Sequence, residues 1–140
     1  MPPSQTARWT VRSLPPERFA FRRVLVVNDH SDGAEALTAF LHLYGYDAQF
    51  VLSGFDVMRA IANRPTEIAL VDINMPGMNG FEVARQVRQD PRTSDMLIVA
   101  FTSQDELAIR TVAISSGFDG YCRKGSAPSL LLDLLEQMTR

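Results

Sequence analysis

The chain is short of several residue types, and each shortage removes a class of explanation. Its only cysteine, Cys122, has no partner for a disulfide, which suits a reducing compartment. Two histidines, His30 and His42, stand twelve positions apart without a further histidine or cysteine nearby, a poor set for holding a metal. No stretch approaches the roughly 20 apolar residues that cross a bilayer. The opening Met1-Pro2-Pro3-Ser4-Gln5 lacks the apolar core of a secretory signal. No internal repeat or low-complexity tract is present. These absences predict a soluble cytoplasmic protein without membrane contact. Lysine is the last scarcity: Lys124 stands alone against thirteen arginines.

What is present is the material of one domain. A chain of 140 residues, 46% hydrophobic and 21% charged, can bury roughly two thirds of its unfolded surface without a metal or disulfide. Charge is uneven. Residues 1–23 hold Arg8, Arg12, Arg18, Arg22 and Arg23 against Glu17, a net of +4, and the total of −2 leaves −6 for the rest. An acidic domain argues against nucleic-acid recognition by its folded part. Residues 1–22, with Pro2, Pro3, Pro15 and Pro16 and no apolar period, read as a flexible N-terminal tail. Trp9 within it is expected to fold back on its own domain more readily than to recruit a partner.

From Arg23 to Arg140, strand-like and helix-like segments alternate, the pattern of parallel strands joined by crossover helices. Val24–Val27 is a strand, and Leu37, Phe40, Leu41 and Tyr44 mark a helix over about 32–44 that Gly45 stops. Tyr46–Leu52 is the second strand. Ser53, with Asp56 three residues on, opens a helix whose apolar side is Val57, Met58 and Ile61. Ile68–Val71 follows as a strand, Asn79 and Glu82 cap the third helix, and Pro91 ends it. After the strand Met96–Phe101, Ser103-Gln104-Asp105-Glu106 reads as a capping box for a helix reaching Ser115 before Gly117. Asp119–Arg123 reads as a short edge strand, and Ser126 as the cap of a last helix carrying Leu131, Leu134, Leu135 and Met138. Five strands and five helices result, with no second domain expected after them. Strands that are continuously apolar are buried on both faces, so the expected fold is a doubly wound α/β domain.

Open parallel sheets bind ligands beyond the carboxyl ends of their strands. Those ends carry Asn28-Asp29, Asp72, Thr102 and Lys124, so the topology gathers two acids, a hydroxyl and an amine along one edge. Asp72 closes the apolar run Ile68-Ala69-Leu70-Val71, a poor place for packing and a good one for chemistry. A helix-capping role for it is weaker, because Asn79 is the better-placed cap. A lone ammonium at this edge fits a point charge for phosphate, a task the planar guanidinium does differently. Tyr121 reads about equally well as half-exposed packing. Asp105, Glu106 and Asp119 read as solvent-facing or capping acids.

Residues 23–140 resemble the response-regulator receiver domain, the phosphorylated partner of sensor histidine kinases. Asp72-Ile73-Asn74-Met75-Pro76-Gly77-Met78-Asn79-Gly80 is similar to the family's phospho-acceptor loop, Thr102 to its switch hydroxyl, Tyr121 to its switch aromatic, Lys124 to its invariant amine, and Asp29 to the second member of its acidic pair. The resemblance implies a flavodoxin-like (βα)5 three-layer sandwich with a five-stranded parallel sheet in the order 2-1-3-4-5. It implies a single-domain regulator whose Asp72 accepts a phosphoryl group from a histidine kinase or phosphotransfer protein, without being an enzyme beyond its own phosphorylation and dephosphorylation. A carboxylate is a competent nucleophile toward an activated phosphoryl group. Repulsion between that group and two acids calls for Mg²⁺, or Mn²⁺, on Asp29, Asp72 and the Asn74 backbone carbonyl. Lys124 and Thr102 would contact the phosphoryl oxygens. The face made by the helix over 106–115, the strand ending at Arg123 and the last helix is where the family docks downstream proteins and forms homodimers.

Two positions depart from the family. Asn28 replaces the usual first acid, which lowers the expected affinity for the ion while Asp29 retains it. Gly125 replaces a proline usually preceded by a cis bond; before glycine such a bond costs about 3 kcal/mol, so a trans bond and a less firmly aimed Lys124 are expected. These departures keep a second reading open, a receiver fold that binds partners without phosphorylation. A third, a phosphatase of the haloacid dehalogenase type, needs a general acid two residues after the nucleophile, where Asn74 cannot transfer a proton.

Overall fold

A computed structural model describes residues 4–15 and 22–139. Pro2, Pro3 and Pro16–Phe21 of the expected tail, and Arg140, lie outside the described residues. The sheet has six strands: β1 (Thr6–Arg8), β2 (Arg23–Val27), β3 (Asp47–Val51), β4 (Ile68–Val71), β5 (Leu97–Thr102) and β6 (Gly120–Arg123). Its spatial order is β1-β6-β5-β4-β2-β3. β2 to β6 pair in parallel in the expected 2-1-3-4-5 arrangement, and β1 adds an antiparallel strand outside β6.

Alternation along the central strands divides the core. Leu25, Val27, Ala69, Val71, Ile98, Ala100 and Tyr121 face α2 (Val57–Asn63), α3 (Gly80–Gln89) and α4 (Glu106–Ser116). Val24, Val26, Ile68, Leu70, Leu97, Val99 and Cys122 face α1 (Ser31–Leu43) and α5 (Pro128–Met138). Each buried Val, Leu or Ile side chain contributes roughly 1.5–3 kcal/mol relative to exposure. Both faces are therefore covered, as the unbroken apolar strands require.

The structure changes several local expectations. Residues 1–22 are not wholly a tail: Thr6 to Arg8 pair with Cys122, Tyr121 and Gly120, so β6 is an inner strand. A Cβ at Gly120 would lie only 3.1 Å from the Ala7 carbonyl oxygen, so glycine there admits the arm. Ser53 caps a single 3₁₀ turn, Gly54–Asp56, rather than the α-helix that follows. Asn79 and Glu82 form both arms of a capping box at α3. The box expected from Ser103 to Glu106 does not form. α4 starts after Asp105 without a side-chain cap, because Glu106 turns inward to other partners. Ser126 likewise does not cap α5; its hydroxyl donates to the Arg123 carbonyl, and Pro128 supplies the preset first turn.

Asp119 is not a solvent-facing acid. It is buried and accepts from Ile98 N at 2.9 Å, Arg88 Nη2 at 2.6 Å, Arg12 Nε at 3.0 Å and the Thr10 hydroxyl at 2.8 Å. A buried carboxylate is tolerable with this many donors and two cations. Burial also lowers the Arg88 pKa, against the opposing pull of Asp119.

Candidate phosphoryl-acceptor site

β4 hands Asp72 to the carboxyl edge of the sheet. Its N–H donates to Val27 O at 2.9 Å, so the ladder with β2 continues through it. Gly80 packs against this backbone: its N–H donates to Ile73 O at 2.9 Å, and a Cβ added there would stand 2.4 Å from Asp72 O. Only a residue without a side chain fits, a role for Gly80 that the repeated glycines of the loop concealed in the sequence. At Gly77 the backbone is left-handed, with φ +79°. The loop is thus held at both turns, and Asp72 is buried to 6% exposure with its carboxylate in place.

Lys124 Nζ donates to Asp72 Oδ2 at 2.7 Å. The Lys124–Gly125 bond is trans, as expected, since no cis peptide bond occurs among the described residues. Gly125 takes a left-handed φ of +85° instead. The Lys124 N–H donates to Thr102 O at 2.9 Å, which fixes the root of the lysine side chain to β5. Asp72 Oδ1 accepts a long bond, 3.3 Å, from Asn74 N.

On β2's exit, Asn28 is buried and its Oδ1 accepts from His30 N at 3.0 Å. Asp29 differs: its Oδ1 is buried and has no hydrogen-bond partner. An uncompensated carboxylate oxygen out of water costs free energy that a cation would return. Asp29 follows β2 and Asp72 follows β4, its paired neighbour, so both acids stand on one sheet edge, and oxygen donors of this kind suit a hard divalent cation. Asn28, with its oxygen committed to the turn, supplies no charge to that set.

Thr102, fully buried, accepts from Gln104 N at 3.3 Å through its hydroxyl oxygen. Gln104 Nε2 donates to Asn74 Oδ1 at 2.8 Å, tying the loop after β5 to the loop after β4. Tyr121 is fully buried rather than half-exposed, and its hydroxyl donates to Gln104 O at 2.5 Å. Burial raises its pKa. The Trp9 ring lies 5.8 Å from the Tyr121 ring, and Trp9 Nε1 donates to Glu106 Oε2 at 2.8 Å. Arg110 makes two bonds to the same carboxylate, at 2.6 and 2.9 Å, and holds the Glu106 pKa below its ordinary value against the effect of burial.

The structure therefore gathers Asp29, Asp72, Asn74, Thr102 and Lys124 at one edge and sets Tyr121 beneath it, in contact through Gln104. Residues 24–136 match the family described as the response regulator receiver domain. The chain belongs to that family, the receiver domains of two-component systems. It is 32% identical to the response regulator MprA of Mycobacterium sp. over 83% of this chain and 48% of that protein. It is 32% identical to the DNA-binding response regulator MtrA of Mycobacterium tuberculosis over 79% of this chain and 47% of that protein. The chain thus spans about half the length of the curated relatives it matches. Among solved structures, the chemotaxis protein CheY4 of Vibrio cholerae superposes with a TM-score of 0.81 at 24% identity, covering 85% of this chain and 99% of that one. The likeness to CheY4 concerns the fold alone.

Proposed function

We propose that Asp72 accepts a phosphoryl group from a phosphohistidine of a sensor kinase or phosphotransfer protein. The Lys124 ammonium on Asp72 Oδ2, on the sheet edge that also carries the unpartnered buried Oδ1 of Asp29, is the observation that supports this reading. A carboxylate oxygen of Asp72 forms the new O–P bond as the P–N bond of the donor breaks. The electron pair leaves on the imidazole nitrogen, which then takes a proton from solvent. Lys124 transfers its contact from the carboxylate to a phosphoryl oxygen as charge moves outward. The Thr102 hydroxyl, its lone pair engaged by Gln104 N, keeps its proton for the incoming group.

Asp29 and Asp72, with the Asn74 backbone carbonyl, would hold Mg²⁺ or Mn²⁺, which offsets repulsion between the phosphoryl oxygens and the two acids. With Asn28 in place of an acid, that ion binds weakly. The chain acts as a phospho-acceptor in the cytoplasm rather than as an enzyme on a separate substrate. Its acidic body signals to proteins rather than to nucleic acid, through α4, β6 and α5. No helix among the described residues is long and apolar enough to cross a membrane.

Incubation with acetyl phosphate and Mg²⁺ tests the reading by intact mass. One phosphoryl unit should add to the wild type and none to Asp72→Ala; an equal shift in both removes the assignment.

A further inference from the structure

The N-terminal arm reaches the loop that organises the site through Tyr121. It is fastened at both ends of β6: Arg123 N donates to Gln5 O at 2.8 Å, and Trp9 N and Thr10 N donate to Asp119 O at 2.8 and 3.2 Å. Thr10 and Arg12 add side-chain bonds to the Asp119 carboxylate. Between these anchors Trp9 lies over Tyr121 and bonds Glu106 at the start of α4. Three contacts then run inward. Tyr121 holds Gln104 O, Gln104 N holds Thr102 Oγ1, and the Gln104 amide holds Asn74 Oδ1.

We infer that Trp9 is a positioning residue for the phosphoryl site: by sealing Tyr121 inward on Gln104, the docked arm favours the loop geometry in which Thr102 and Asn74 face Asp72. This rests on the phospho-acceptor reading. The sign follows from hydrogen-bond capacity. A hydroxyl has one proton to give, and Gln104 N occupies an acceptor position on Thr102, which leaves the proton for a group on Asp72. The arm-docked loop thus leaves the Thr102 proton uncommitted at the sheet edge that carries Asp72. Two ligands that favour one conformation assist each other, and the linkage is reciprocal. An anion on Asp72 should therefore hold the arm more tightly.

Beryllofluoride with Mg²⁺ is the probe, and amide NMR shifts at Thr102 and Gln104 give its affinity. Trp9→Ala should weaken binding by about fivefold or more, within the usual range of allosteric coupling. Trp9→Phe, which keeps a ring on Tyr121 but loses the bond to Glu106, should recover most of the loss. In the wild type, acrylamide quenching of Trp9, the only tryptophan, should fall as beryllofluoride binds. Should Trp9→Ala fail to fold, Thr10→Val loosens the arm through Asp119 and should weaken binding in the same direction. Equal or tighter binding by the folded arm variants overturns the inference and leaves the role of Asp72 standing. No binding by the wild type overturns both.

Discussion

Lys124, the only lysine of the chain, places its Nζ 2.7 Å from Oδ2 of Asp72, fifty-two residues away. The pair joins the ends of two strands separated by β5, and β5 itself holds the lysine backbone through Thr102 O. Hydrogen bonds to charged groups contribute roughly 1.5–3 kcal/mol. Lys124→Ala should therefore weaken beryllofluoride binding by about 10-fold to 100-fold while the fold persists. Lys124→Arg should recover only part, since a planar fork does not replace a compact ammonium. Fluorine NMR of the bound adduct measures both.

Asn28→Asp restores a second negative charge on the β2 exit and should raise Mg²⁺ affinity, whereas Asp29→Asn should lower it. Opposite-sign effects from adjacent positions are a sharper test than either alone. Titration of backbone amide shifts in Asn28, Asp29 and Asp72 reads the two affinities directly. Unchanged Mg²⁺ binding in Asp29→Asn would remove that residue from the ion site.

Gly80→Ala places a methyl group 2.4 Å from Asp72 O and 2.8 Å from Ile73 Cα, both backbone atoms. The backbone must shift, and overpacking of this kind costs about 1–3 kcal/mol. The urea midpoint should fall accordingly, and phospho-acceptance should fall with it because the displaced atom belongs to the acceptor residue. A variant with normal stability and normal phosphorylation would show that the loop tolerates the methyl group.

Burial raises the Cys122 thiol pKa, and its side chain is 1% exposed. Iodoacetamide should alkylate it slowly in the folded protein and rapidly in urea, since the thiolate is the reactive species. Rapid labelling without denaturant would contradict the packing of β6 between α5 and the arm.

Glu106 has a folded-state pKa below the ordinary 4.5, owing first to its bonds with Arg110. A depressed carboxyl pKa stabilises the fold fully above the unfolded value and loses that contribution as pH falls through the folded one. The stability that this carboxylate adds should therefore decline as pH falls below 4.5, seen as a falling urea midpoint. Glu106→Gln should reduce that pH dependence.

The placement of the strand-end residues was legible in the sequence because a parallel sheet turns distance along the chain into proximity at one edge. Asp72 and Thr102 follow apolar runs, Lys124 follows the short strand Gly120–Arg123, and the structure places all three at strand ends. The arm was not legible. Thr6-Ala7-Arg8 is too short to show alternation, and its pairing partner lies more than a hundred residues on. Without that pairing β6 reads as an edge, and half-exposed packing stays open for Tyr121. The burial of Glu106 and Asp119 is hidden in the sequence for a related reason. Their positions suit capping or solvent, and it is donors distant in sequence, Trp9 for Glu106 and Thr10, Arg12, Arg88 and Ile98 N for Asp119, together with Arg110, that make their burial tolerable.

Reductive trapping of the phosphorylated protein, followed by peptide mapping, tests the central claim most directly, because borohydride converts an aspartyl phosphate to homoserine. The conversion should occur at position 72 alone after treatment with acetyl phosphate and Mg²⁺. Homoserine at position 29 or any other acid, or none in a protein that has gained phosphate, would contradict it.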